Sequence, residues 1–109
     1  MSLITTHVLD TAAGEPAANI PVELEYQEGP ELPWIFLGRG KTDAEGRLKD
    51  LLPRGQAIKP GRYRLRFDTA ARSPFFPEVV IQFVVIDPQQ NYHVPLLLTR
   101  FGYSTYLGK

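Results

Sequence analysis

The sequence predicts an all-β fold, an antiparallel β-sandwich, on three observations. Apolar and polar residues alternate with period two in several stretches, as in strands with one buried and one solvated face. No segment sustains the 3.6-residue period of a long amphipathic helix. Gly, Pro, Asn and Asp punctuate the chain at short intervals, which suits many brief strands joined by turns. With 109 residues, the chain is expected to form a single domain over 1–109, large enough to bury a core.

The first strand is read from Leu3 to Asp10 and ends at the loop signal of Gly14 and Pro16. The second is Ile20 to Gln27, with Val22, Leu24 and Tyr26 on one face and Glu23, Glu25 and Gln27 on the other. After the turn "EGPELP", Trp34 to Leu37 forms a third, and Gly38 to Asp43 either continues it or starts another. Asp43 and Gly46 supply turn chemistry before a short apolar run that stops at Pro53. In "GRYRLRFD", Tyr63, Leu65 and Phe67 alternate with Arg62, Arg64 and Arg66. Thr69 to Ser73 is expected to form one short helix, capped by Asp68 or Thr69. Glu78 to Ile86, Tyr92 to Leu98 and Tyr103 to Leu107 complete the set.

Composition excludes several classes of function. Formal net charge is zero, which argues against wholesale attraction to nucleic acid or an anionic membrane. No stretch approaches the roughly 20 apolar residues of a membrane helix. The start lacks a basic region followed by an apolar one, and cysteine is absent, so the cytoplasm is the expected location. The arginine stripe on 62, 64 and 66 is better read as an exposed charge ladder against Glu23 and Glu25 than as a nucleic-acid surface.

The chain has two histidines, and both lie in strands. His93 shares a face with Pro95 and Leu97. The opposite face, with Tyr92, Val94, Leu96 and Leu98, is the better core candidate, so His93 is expected on the outside of its sheet. His7 shares a face with Leu3, Thr5 and Leu9, and the pattern alone does not settle whether that face is buried. The two can meet only through tertiary strand pairing. No His-x-His or His-x3-His spacing supports a metal site, no phosphate-cradling glycine loop is present, and Ser2, Ser73 and Ser104 lie in no nucleophile elbow.

The stretches "TTHVLDTAAGEPA" (5–17), "GKTDAEGRL" (40–48), "FFPEV" (75–79) and "NYHVPLLLTRFGYSTY" (91–106) resemble, in order and spacing, the 5-hydroxyisourate hydrolases of the transthyretin-like family. The resemblance implies a transthyretin-type sandwich of two four-stranded sheets. It also implies a homotetramer built as a dimer of dimers, with active sites in a channel between subunits. The implied reaction opens 5-hydroxyisourate, a small purine-like ring, to 2-oxo-4-hydroxy-4-carboxy-5-ureidoimidazoline in urate breakdown, with no cofactor and no metal. The catalytic residues it implies are His7, Arg47 and His93. Transthyretin, the carrier, lacks these three. Ser104 and Tyr106, on one face of the last strand, and Lys109 at the chain end are expected to contact substrate.

Two departures from the family pattern stand out. Asn91 replaces a histidine two positions before His93, and Leu107 and Lys109 replace the arginine and serine of the usual Tyr-Arg-Gly-Ser ending. The alternative function is therefore a catalytically impaired, transthyretin-like small-molecule binding protein. On the hydrolase reading, a histidine acts as base near neutral pH, Arg47 offers a planar cationic fork to ring oxygens, and the other histidine orients water or stabilises charge. Which histidine is the base is open at this point.

Overall fold

A computed structural model describes residues 3–108 as two sheets enclosing one core. The chain runs through β1 (Ile4–Asp10), β2 (Glu15–Pro16), β3 (Pro21–Gln27), β4 (Ile35–Lys41), β5 (Arg47–Leu48), β6 (Gly61–Asp68), β7 (Glu78–Val85), β8 (Tyr92–Leu98) and β9 (Tyr103–Thr105). One sheet has the order β2-β1-β8-β9, with the two-residue β5 added beside β1; the other has the order β4-β3-β6-β7. The all-β sandwich expected from the alternation is therefore present, with β4 continuing through Lys41.

The core follows from the period-two pattern. Val22, Leu24 and Tyr26 of β3, Tyr63, Leu65 and Phe67 of β6, and Tyr92, Val94, Leu96 and Leu98 of β8 are all buried. Each large apolar side chain removed from water in this way stabilises the fold by about 1.5–3 kcal/mol before ordering costs. A row of rings joins the two sheets. Tyr26 packs against Tyr63 (centroids 4.9 Å apart), Tyr63 against Phe83 (5.8 Å) and Phe83 against Tyr92 of the opposite sheet (6.4 Å).

Three expectations need correction. The sandwich is not wholly antiparallel: β1 and β8 pair in parallel, with Thr5 opposite His93 and His7 opposite Pro95. The two strands lie near opposite ends of the chain, and the long path between them makes a parallel pairing feasible. Second, β5 gives one sheet a fifth strand. Third, Thr69 to Ser73 is a turn and not a helix. Its amides at Arg72 and Ser73 donate to the Thr69 carbonyl, the Ser73 hydroxyl donates to the Arg100 carbonyl, and Pro74 stops any extension after a single turn.

The charge ladder forms with a changed partner. Glu25 faces Arg64 across β3 and β6, and Arg64 Nε reaches Glu25 Oε1 at 2.6 Å. Arg66 faces Glu23 in register, yet its closest ion pair is to Glu78 of β7 at 3.1 Å. Arg64 also lies over the Trp34 ring, 4.2 Å from its centroid.

Candidate active site

The parallel register of β1 and β8 brings the two histidines to one place. Buried Ile4, Thr6, Val8 and Asp10 point inward from β1, so Thr5, His7 and Leu9 face out of the sandwich. On β8, His93 and Leu97 face outward by the same alternation. His7 and His93 are thus on adjacent strands, two register positions apart, or roughly 8 Å between Cα atoms from standard strand spacing and rise. On the other flank of β1, Arg47 is the direct antiparallel partner of His7.

The turn before β5 determines that placement. Asp43 Oδ1 accepts hydrogen bonds from the amides of Glu45 and Arg47, each 2.9 Å, and the Gly46 amide donates to the Asp43 carbonyl at 2.9 Å. Those amide bonds, the Arg47 amide foremost, hold the Asp43 carboxyl below the usual carboxylate range. Gly46 sits at φ +79°, and a Cβ there would run into the Val8 carbonyl oxygen. The Val8 amide in turn donates to the Gly46 carbonyl at 2.8 Å, which docks the turn on β1.

Each imidazole has a defined partner. His7 Nε2 lies 2.8 Å from the Glu45 carbonyl oxygen. A carbonyl only accepts, so Nε2 carries the hydrogen and the lone pair of neutral His7 is on Nδ1. His93 Nδ1 lies 2.8 Å from Thr5 Oγ1. Burial first, then repulsion from His7 and Arg47, pushes the His93 pKa below the ordinary histidine value. His93 is therefore neutral at pH 7, the state a base requires.

A cavity of about 390 Å³ opens at this face, lined by Leu3, Thr5, Thr6, Arg47, Lys49, Asn91 and His93. Its volume falls within the range of small-molecule sites. Among the described residues no carboxylate lines it, and Lys49 has no ion-pair partner. Asn91 accepts from the Leu3 amide at 2.8 Å, so it fixes the cavity rim through the backbone.

The sequence-predicted residues do not all converge. Arg47 and His93 line the cavity and His7 adjoins them. Ser104 pairs with Leu97, four residues along β8 from His93, and does not line the cavity. Tyr106 lines a different cleft, between β7 and β9. Lys109 lies outside the described residues.

Three contributors escaped sequence reasoning. Thr5 carried a signal, since it shares the His7 face. Lys49 carried a weaker one, being two residues from Arg47 across buried Leu48. Gly108 carried none. Its amide donates to the His93 carbonyl at 2.7 Å, so the chain end closes onto β8 beside the imidazole.

Comparison with known proteins places the chain. A family profile described as "HIUase/Transthyretin family" matches residues 4–108. The 5-hydroxyisourate hydrolase of Mus musculus is 42% identical over 113 residues, covering 98% of this chain and 95% of that protein. The uric acid degradation bifunctional protein of Arabidopsis thaliana is 45% identical over 118 residues, covering 96% of this chain; the chain spans 36% of that longer protein. Among solved structures, 5-hydroxyisourate hydrolase of Klebsiella pneumoniae superposes with a TM-score of 0.80 at 30% identity, covering 99% of this chain and 100% of that one. Sea bream transthyretin in complex with thyroxine superposes with a TM-score of 0.84 at 27% identity, covering 96% and 93%. From the full-length profile match and these identities, the chain belongs to the HIUase/Transthyretin family.

Proposed function

We propose that this chain is a 5-hydroxyisourate hydrolase that opens the substrate ring with His7, Arg47 and His93. The observation that carries this reading is the gathering of Arg47 and His93 at one cavity that no carboxylate of the described residues lines, with His7 on the strand between them. Relatives named 5-hydroxyisourate hydrolase, similar over nearly the whole chain, support the same conclusion.

The hydrogen bonds and the burial of His93 support one division of labour. His93, kept neutral by its surroundings, takes a proton from water as the oxygen attacks a ring carbonyl carbon. Arg47 binds the oxygen on which negative charge develops, and Lys49 adds a second cation on the same strand face. The ring C–N bond then breaks, His93 returns its proton to the departing nitrogen, and the carbonyl carbon leaves as a carboxylic acid that ionises. His7, tethered through Nε2 to Glu45, offers Nδ1 to orient the water. Ser104, Tyr106 and Lys109 are proposed to contact the substrate once a docking subunit closes the channel.

We also infer that residues 1–109 act as one folded unit and assemble as a homotetramer, a dimer of dimers. Strands β7 and β9 each have an unpaired edge among the described residues, and these edges flank one cleft lined by Ile81, Phe83, Val84, Tyr106 and Leu107. Val84 is 59% and Ile86 82% exposed in the lone chain, so an apolar strip lies along that edge. Closed two-fold pairing of such edges hides them. Light scattering at micromolar concentration is expected to give the mass of four chains; a monomeric mass overturns the assembly.

The test of function is direct. Freshly generated 5-hydroxyisourate is mixed with the protein and its absorbance decay followed. Enzyme-level acceleration supports the hydrolase; decay equal to the buffer blank leaves a binding protein on the same scaffold.

A further inference from the structure

We propose that Thr5 and Gly108 are positioning residues that clamp the His93 imidazole between them, so that its Nε2 is the nitrogen presented to the cavity. Of the four ring atoms available for contact, two lie next to Cγ and two lie at the far edge. Both near atoms are engaged. Nδ1 is 2.8 Å from Thr5 Oγ1, and Cδ2 is the ring atom nearest to where a Cβ on Gly108 would stand. The far edge, Cε1 and Nε2, is what remains to face the cavity that His93 lines.

The two clamp residues reach the ring by different routes. Thr5 is the parallel register partner of His93, so its outward hydroxyl stands beside the imidazole by strand geometry alone. Gly108 arrives from the chain end, held by its amide bond of 2.7 Å to the His93 carbonyl oxygen. A Cβ at position 108 would lie 2.7 Å from His93 Cδ2, 3.3 Å from its carbonyl oxygen and 3.4 Å from Cγ. No side chain fits there while the ring keeps its place. Glycine at 108 thus has a steric reason in its contact with His93.

The sense of the hydrogen bond also follows. A threonine hydroxyl both donates and accepts. If His93 Nδ1–H donates to Thr5, the lone pair is on Nε2, at the exposed edge. That bond survives when Nε2 takes up a proton, because Nδ1 remains a donor in the imidazolium. The opposite sense places the lone pair against Thr5, and the bond is lost on protonation. A base that cycles through both states is better held by the first arrangement.

This inference deepens the hydrolase reading, and its decisive readout does not need turnover. Histidine-selective 15N labelling, with His7→Asn used to assign the two rings, reports which nitrogen of His93 carries the proton. The expected result is a predominantly Nδ1-protonated neutral tautomer in the unaltered protein. That preference should be lost in Thr5→Val and Gly108→Ala and retained in Thr5→Ser. In Thr5→Val and Gly108→Ala, but not in Thr5→Ser, kcat is expected to fall roughly 10- to 100-fold with KM within about 3-fold, as for a misplaced reacting group. If Gly108→Ala does not fold, the Thr5→Val and Thr5→Ser pair decides. Unchanged His93 nitrogen signals in Thr5→Val, or a predominantly Nε2-protonated tautomer in the unaltered protein, overturn the clamp. The expected tautomer in a protein that fails to accelerate 5-hydroxyisourate decay leaves the clamp standing and overturns the proposed function instead.

Discussion

Burial first, then repulsion from the His7 and Arg47 side chains, lowers the pKa of His93, and the sign of that effect fixes a pH response. Because its pKa is lowered, the base form persists to more acidic pH than in a free histidine. The acid limb of kcat/KM is expected below about 6.5. Arg47→Gln removes one repulsive charge but leaves the burial, so the limb should move upward and stay below that value. A profile between pH 5 and 8 reads both shifts. The same depression costs stability in acid, since below the unfolded pKa the unfolded chain binds the proton first. His7→Asn and His93→Asn should each slow turnover by roughly 10²–10⁴-fold with folding largely retained, because both side chains face out of the core. Arg47→Lys keeps the charge and loses the planar fork, so substrate binding, transition-state stabilisation or both should suffer. Wild-type kinetics in that variant removes Arg47 from the site.

One short element, β5, sets Arg47 beside His7, and it was not visible as a strand in the sequence. β5 is two residues long, below the length at which alternation is recognisable, and "DAEGR" read simply as a turn. Its function depends on Gly46. Gly46→Ala is expected to destabilise by more than about 1 kcal/mol, because the positive φ and the Val8 carbonyl both oppose a Cβ. It should also loosen the Glu45 tether on His7. Thermal melting measures the first effect, and a melting temperature equal to that of the unaltered protein contradicts it. The long strands were legible because each has one buried face: Val22, Leu24 and Tyr26 alternate against Glu23, Glu25 and Gln27, and the burial follows. The outward placement of His93 was legible for the same reason. His7 was ambiguous, because the residues that bury the inner face of β1 include Thr6 and Asp10, which read as polar. Their burial rests on partners distant in sequence: Thr6 donates to the Val94 carbonyl at 2.7 Å, and Asp10 pairs with Arg72 at 3.1 Å.

At the scale of the whole molecule, the site is a consequence of topology. The chain places β1 and β8 side by side in parallel and adds β5 on the far flank, so three segments distant in sequence share one outer face. Strand pattern predicted a sandwich, and the charge stripes pointed to the β3–β6 pair, but nothing in the pattern gave the β1–β8 pairing that builds the site, because pairing depends on packing that no single strand encodes. The family resemblance supplied the three residues; the register supplies the reason they meet. It also separates Ser104 and Tyr106 from the cavity, since the β9 register sets Ser104 opposite Leu97. An open face carrying Arg47, Lys49 and the two histidines is what a second subunit would convert into a channel wall. The most direct test follows 5-hydroxyisourate decay with the unaltered protein and His93→Asn side by side, at matched concentration and with the same oligomeric mass verified for both. The account predicts rapid decay with the former and a loss of roughly 10²–10⁴-fold with the latter. Equal rates in the two samples, whether both fast or both at the buffer blank, would contradict it.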